Sequence, residues 1–213
     1  MRYLSCLLVH EGNSDRWFLP PLLERAIREL WLDGARVDLQ VSVAAVDADH
    51  QRAEEIVEAV QDEAFDVLLY HHDGAPSAIR ERVLTSVQRH WQTHRSEPLV
   101  PVLPMRETES WILADPEVVA SVLGSSEFAA NTGWPQRPRE VEGVLDPKVP
   151  LRRTIETARG RQRATANQQN FMKSYFEAFG DHVRLDRLRE VPSFAAWWQD
   201  MSKTLEGLGY NHG

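Results

Sequence analysis

A single cysteine, Cys6, stands among 213 residues. That excludes an internal disulfide framework and any zinc site built from several thiolates. Lysine is almost as scarce: of 24 basic residues only Lys148, Lys173 and Lys203 are lysines, and the rest are arginines. There is no excess of positive charge, because 32 acidic residues leave the chain at −8. A protein that holds nucleic acid unaided usually carries surplus cations to neutralise phosphate, so this balance argues against a freestanding, high-affinity DNA binder. It leaves room for an acidic metal site flanked by local basic patches. Long apolar runs are missing as well. Leu4 to Val9 is interrupted by Ser5 and is too short for a signal-peptide core. No stretch approaches the roughly 20 apolar residues of a membrane span. The expected compartment is the cytoplasm, with no membrane partner. A glycine-rich phosphate loop and a Gly-x-Ser-x-Gly elbow are both absent, which leaves nucleotide hydrolysis and acyl transfer without a motif.

What is present is enough for a core: 42% of residues are hydrophobic and seven are Trp. Arg2 to His10 reads as a buried strand that ends at the turn signal Glu11-Gly12-Asn13. A helix follows, with Ser14 or Asp15 as its cap and Phe18, Leu22, Leu23, Ile27 and Leu30 on its apolar face. Pro20-Pro21 inside that pattern implies a kink or a restart. Val37, Leu39, Val41 and Val43 alternate with polar residues, as in a strand with one wetter face. Ala53, Ile56, Val57 and Val60 are spaced for a helix. Asp66 to Tyr70 is a third strand, ending at His71-His72-Asp73-Gly74. Ile79, Val83, Val87 and Trp91 mark a helix, and Leu99 to Leu103 a fourth strand leading into Arg106-Glu107-Thr108-Glu109. Asp115-Pro116 caps a further helix. The β-α-β-α-β-α-β order predicts an α/β fold with a mostly parallel sheet and helices on both faces. We place this α/β domain at residues 1–130. Residues 131–213 read as a loop and then a helical extension packed on it, whose stripe Phe194, Trp197, Trp198, Met201, Leu205 and Leu208 fits core packing.

In an open parallel sheet, ligands sit at the carboxyl ends of the strands. Three expected strands end in acids here: the first at Glu11 with Asp15 one turn on, the third at Asp73, the fourth at Glu107 and Glu109. If those strands are neighbours, the carboxylates converge. Like charges brought together without a cation are costly, and hard oxygen ligands suit Mg²⁺ or Mn²⁺ rather than zinc. A carboxylate after a strand can equally be a turn former or cap, the alternative reading for Asp15 and Asp115.

His10-Glu11-Gly12-Asn13-Ser14-Asp15 resembles the first motif of Toprim domains, which share a Glu-Gly turn there and a second acidic motif after a later strand. The chain resembles more closely the Toprim-like domain of unknown function DUF4276, related to Toprim nucleases of the OLD type. The likeness rests on Glu11 to Asp15 with Phe18-Leu19, on Arg106 through Pro116, on Asp146-Pro147-Lys148, and on Phe194 with Leu208-Gly209-Tyr210. It implies a Toprim-like Rossmannoid fold and a Toprim-type metal site. By matching position, Glu11 would be the general acid/base or a metal ligand, Asp15 a second ligand, and Asp73 the first acid of an Asp-x-Asp motif. Ala75 stands where the second aspartate belongs, so a second metal would need an oxygen from Glu107, Glu109 or Asp115.

The chemistry so implied is Mg²⁺- or Mn²⁺-dependent phosphodiester hydrolysis of nucleic acid, with DNA ranked before RNA as partner and the choice between them left open, the metal polarising phosphate and water and a carboxylate handling the proton. The catalytic candidates are Glu11, Asp73 and His72. The metal candidates are Glu11, Asp15, Asp73, Glu107 and Glu109. Of His71 and His72, one should pack under the sheet and the other face solvent, and His72 is the one favoured for a role. Lys148, Arg152, Arg153, Arg159, Arg161 and Arg163 against Glu156 form the one basic cluster, read either as a phosphate clamp led by Lys148, Arg152 and Arg153 or as a solvated helix face. His90 and His94 fit a solvated helix end, and Cys6 an inert buried thiol. Proteins resembling this family are linked to phage or mobile-element defence beside an ATPase partner. Two alternatives remain: a catalytically degenerate regulatory or scaffold subunit of that ATPase, supported by Ala75, and an RNA-directed Toprim endonuclease.

Overall fold

The computed structural model describes residues 1–32, 38–74, 77–124, 134–160 and 168–210. Ala75 and Val37 lie outside the described residues, as do Arg161 and Arg163 and the side chain of Arg159. Four strands, β1 (Arg2–Val9), β2 (Leu39–Val46), β3 (Val67–His71) and β4 (Leu99–Val102), make a parallel sheet in the order β2-β1-β3-β4. The central strands β1 and β3 are apolar on both faces, as a sheet covered by helices on each side requires. Leu4, Cys6, Leu8, Val67 and Leu69 point into one core, while Leu7, Val9, Leu68 and Tyr70 point into the other. The edge strand β2 alternates, with Gln40 and Ser42 exposed between Leu39, Val41 and Val43. Pro101 sits in the short β4, where a missing ladder donor is tolerated at an edge.

The smaller core is closed by α2 (Ala53–Ala59) and α3 (Ala78–His94) through Ile56, Val60, Val87 and Trp91. The larger one lies under α1 (Asn13–Leu32) and continues into α4 (Glu109–Leu113), α5 (Pro116–Val122), a 3-10 turn over Pro138–Gly143, α6 (Lys148–Gly160), α7 (Gln168–His182), α8 (Leu185–Leu188) and α9 (Pro192–Gly207). The expected α/β architecture with helices on both faces is therefore what forms. Helix α9 buries Phe194, Trp197, Met201 and Leu205, the core stripe read from their spacing.

Helix α1 neither ends nor restarts at Pro20-Pro21. Each interior proline costs roughly 3 kcal/mol. Phe18, Leu19, Leu22, Leu23 and Ile27 are all fully buried on its inner face, and each contributes about 1.5–3 kcal/mol. Packing outweighs the two lost backbone bonds, so the helix runs through. Its outer neighbour α7 approaches closely at Gly180, where an added Cβ would meet the Phe18 carbonyl and lie 2.7 Å from Pro21 Cγ. Arg25 then ties the end of α7 to α1, donating to the carbonyls of Gly180 (2.7 Å) and Val183 (3.0 Å). No helix among the described residues is long and apolar enough to cross a membrane.

Candidate metal centre

The order β2-β1-β3-β4 creates a switch point. From β1 the chain turns outward through α1 on one face of the sheet; from β3 it turns the opposite way through α3 on the other. The carboxyl ends of β1 and β3 therefore border the crevice in which open α/β sheets bind ligands. Glu11 and Asp15 follow β1, and His71 to Asp73 close β3, so four of the sequence-predicted residues meet there.

Strand alternation sends His71 and His72 to opposite faces. His71 is fully buried on the α1 side. Its Nε2 lies 3.3 Å from Asp15 Oδ2 and 3.3 Å from Asp73 Oδ1, while Nδ1 is 3.0 Å from the Val102 carbonyl. A carbonyl and two carboxylates only accept, so both ring nitrogens must carry hydrogen. The ring is an imidazolium. Burial alone would strip its proton, but hydrogen bonds and charge from Asp15 and Asp73 reverse that and carry its pKa up to about 10. The same contacts act on Asp15. Burial opposes its ionisation, yet His71, the Thr108 hydroxyl (2.7 Å) and the Gly12 N–H (2.8 Å) hold its carboxyl below the usual range. Asp15 is thus not the N-cap residue of α1; from the third helical position it accepts the Gly12 N–H that opens the helix, as a turn former does, and it also faces His71. A buried cation between Asp15 and Asp73 already relieves the repulsion for which a metal was invoked.

A second group lies on the other side of the sheet edge. Glu11 Oε2 is 3.4 Å from His50 Nε2 and 3.6 Å from His72 Nδ1, and it accepts the Asp73 N–H at 3.0 Å. The His50 and His72 rings meet edge to face at 5.0 Å. The Tyr70 hydroxyl donates to the His50 carbonyl at 2.6 Å and fixes that loop. His72 Nδ1 lies 2.6 Å from the Asp73 carbonyl, which places a hydrogen on Nδ1. Burial lowers the His50 pKa and favours its neutral, ligating form.

Asp15, His71 and Asp73, and separately Glu11, His50 and His72, each offer ligand atoms within 4.8 Å of one another, so these groups could hold a metal ion. The donors are mixed nitrogen and oxygen, not the all-oxygen set expected from the strand-end acids. His71 is occupied as a donor on both nitrogens; in the other group the Glu11 carboxylate and the His50 ring have lone pairs to give, and His72, whose Nδ1 faces the Asp73 carbonyl, could ligate only through Nε2. Two imidazoles beside a carboxylate suit Zn²⁺, Fe²⁺ and the later transition metals best, and of the two ions expected from the sequence Mn²⁺ fits such a set better than Mg²⁺.

The fourth-strand acids are not brought into either group. Glu107 pairs with Lys148 at 2.9 Å. Glu109 is buried, its Oε2 has no hydrogen-bond partner, and burial pushes its carboxyl up to about 7. The loop carrying them is locked to β3: Arg106 sits at φ 69° and its carbonyl accepts the Gly74 N–H, while Arg80 donates to the Gly74 carbonyl. A non-glycine residue in the left-handed region marks a loop held by its surroundings. That loop delivers Thr108 to Asp15. Asp115 caps α5 through the Val118 N–H and is enclosed by Arg184, so it offers no oxygen to the crevice. Of the basic candidates, Lys148 faces Glu107, and Arg152 and Arg153 are exposed on α6. His90 and His94 stack at 4.1 Å on the outer side of α3. Cys6 is buried with its thiol pushed up to about 12, as an inert thiol should be.

Three participants were not singled out from sequence: His50, Thr108 and, as the favoured histidine, His71. Thr108 falls inside the Arg106–Pro116 motif, which was a usable signal. His50 had none beyond its place in the Asp47-Ala48-Asp49 turn after β2.

A family model for a domain of unknown function, DUF4276, matches residues 10–202. The chain belongs to the DUF4276 family. The match takes in the Glu11 turn, β3 and the Arg106–Pro116 stretch, and ends before Leu208-Gly209-Tyr210. Over 81 residues the DUF4276 chain is also 27% identical to the mitochondrial succinate dehydrogenase assembly factor 3 of Candida albicans, covering 37% of this chain and 65% of that protein. The chain thus spans less than two-thirds of that relative, and the likeness lends no support to nucleic-acid cleavage. No solved structure matches the chain.

Proposed function

We propose that this protein is a metal-dependent phosphodiesterase of the Toprim kind that cleaves nucleic acid, DNA in preference to RNA, in the cytoplasm. The observation that carries this reading is the convergence of Glu11, His50, His72 and Asp73 at the switch-point crevice. Glu11, His50 and His72 would hold the ion, Mn²⁺ before Mg²⁺. When bound, it would neutralise a non-bridging phosphate oxygen and lower the pKa of an attacking water. The Asp73 N–H orients the Glu11 carboxylate, and the His71 imidazolium keeps Asp73 and Asp15 in place. Lys148, Arg152 and Arg153 supply cations on the neighbouring helix for the phosphate backbone. At −8 overall, the chain would borrow further affinity from an ATPase partner in phage or mobile-element defence.

The test is cleavage of plasmid, linear single-stranded DNA and structured RNA with Mn²⁺ or Mg²⁺, with Glu11→Ala alongside. Metal-dependent cutting of DNA that is lost in the variant supports the reading; cutting that survives in Glu11→Ala overturns the site. A second reading is favoured by one observation: in the Asp15–His71–Asp73 group a buried imidazolium, not a metal, already offsets one of the two carboxylate charges. A regulatory, non-cleaving subunit of an ATPase would need no more than that. It predicts no cutting, and no thermal shift with either ion.

A further inference from the structure

Next to the crevice, where α1 faces α6 and α7, lies a cavity of about 530 Å³. That falls within the range of small-molecule sites. Trp17, Leu151 and Phe176 make its walls largely apolar, and Lys148 and Arg152 bring positive charge to it. Glu109 also lines it. This carboxyl is 3% exposed, and its Oε2 meets no donor. An acceptor buried without a partner is costly, so a ligand that donates to it gains what the free protein lacks. The group is also near the reacting centre: the charges of Asp15 and Asp73 bear on Glu109, and that of Asp73 on Lys148.

These features narrow the occupant. Apolar, aromatic walls call for a flat ring, which a sugar or a bare phosphate does not supply. A hydrocarbon chain or a carboxylate would leave Glu109 without a donor. Cations on its lining call for an anion attached to the ring. A nucleotide has all three parts, and among the bases guanine offers two adjacent N–H donors, N1–H and the exocyclic amine, to a carboxylate. We propose that the cavity receives one unpaired guanine of a single-stranded DNA substrate, its N–H edge donating to Glu109 and its phosphates facing Lys148 and Arg152. This deepens the phosphodiesterase reading and rests on it. It would set the base beside the bond that is cut.

The experiment is fluorescence anisotropy at pH 8, where the Glu109 carboxyl is ionised, in EDTA with labelled oligothymidylate and the same strand carrying one central dG, dA or dC. In the wild type the dG strand binds about tenfold more tightly than the others, a difference of ~1.4 kcal/mol. Glu109→Gln, which keeps shape and removes the charge, brings that ratio to about one while oligothymidylate binding is unchanged. Equal affinity for all four strands, no binding of any, or a dG preference that persists in Glu109→Gln each overturns the proposal. Because EDTA removes metal from the readout, the two readings fail separately. A dG preference without metal-dependent cleavage overturns the nuclease reading alone, and cleavage without a preference overturns the guanine pocket alone.

Discussion

The Nε2 of His71 lies 3.3 Å from Asp15 Oδ2, although one ends β3 and the other opens α1. Both side chains are out of water, and among the described residues the cation that touches both Asp15 and Asp73 is that imidazolium. Replacing His71 by Leu leaves two carboxylates facing each other under the sheet. Breaking a buried pair in this way costs about 3–5 kcal/mol. Urea denaturation at pH 7 checks it, and a loss below ~1 kcal/mol would mean that the group is wetter than its burial indicates.

The outer group makes a separable prediction. Glu11→Ala, His50→Ala and His72→Ala should each weaken Mn²⁺ binding at least about tenfold. These side chains lie at the sheet's rim, so the metal-free variants should melt within a few degrees of the wild type. Free Mn²⁺ measured by electron paramagnetic resonance gives the affinity directly. His71→Asn tests the division of labour between the two groups: it should lower stability more than it lowers Mn²⁺ affinity.

Glu109 gives the pH dependence its sign. Burial raises its pKa to about 7 in the folded protein, against about 4.3 in an unfolded chain. The folded state therefore holds a proton that the unfolded state has released. Stability contributed by that proton is complete below about pH 4.3 and is lost as pH rises through 7. Glu109→Gln has no such loss. In EDTA without nucleic acid it should match the wild type near pH 4 and exceed it at pH 8 by on the order of 3 kcal/mol. Equal stability at pH 8 would show that the carboxyl is solvated.

These residues also show what was legible in the sequence. The alternation of apolar strands and amphipathic helices was enough for a parallel sheet covered on both faces, and the acids after β1 and β3 lie at the edge where the two candidate metal groups form. Partner choice was not legible. Glu11 and His50 meet because β2 pairs with β1, and Thr108 reaches Asp15 because Arg106 and Gly74 lock two loops together. Such contacts are set by register and loop closure, which leave no local pattern. Strand alternation did separate His71 from His72, but it could not tell which face held carboxylates. Convergence of acids was read as a demand for metal; a buried histidine met part of that demand instead.

Asp115 is held by four donors: the Arg184 N–H at 3.0 Å, its Nε at 2.9 Å and Nη2 at 2.8 Å, and the Val118 N–H at 3.4 Å. It is fully buried, and Asp115→Ala removes the α5 cap and the two-pronged contact, while the half-exposed Arg184 keeps Glu117 at 2.9 Å, so the change should cost about 2–4 kcal/mol. Arg184→Lys keeps the charge but loses the two-pronged contact and should cost about 1–3 kcal/mol. Urea midpoints of the two variants check the order. A lysine variant as damaged as Asp115→Ala would mean that the fork, not the charge, carries the contact.

Gly180 offers the sharpest test of how α7 seats on α1. In an exposed helix interior, glycine to alanine stabilises by about 0.5–1 kcal/mol, because the unfolded chain loses freedom. Here the added Cβ would collide with the Phe18 carbonyl and press on Pro21 Cγ at 2.7 Å. Backbone on one side and a rigid ring on the other cannot move aside, so α7 must lift and Arg25 must release the carbonyls of Gly180 and Val183. Overpacking of this kind costs about 1–3 kcal/mol, which outweighs the gain in helix propensity. Gly180→Ala should therefore lower the melting temperature, whereas Gly207→Ala, with open space at its Cβ, should leave it unchanged or raise it. A rise at Gly180 as well would show that the two helices are farther apart than the glycine implies.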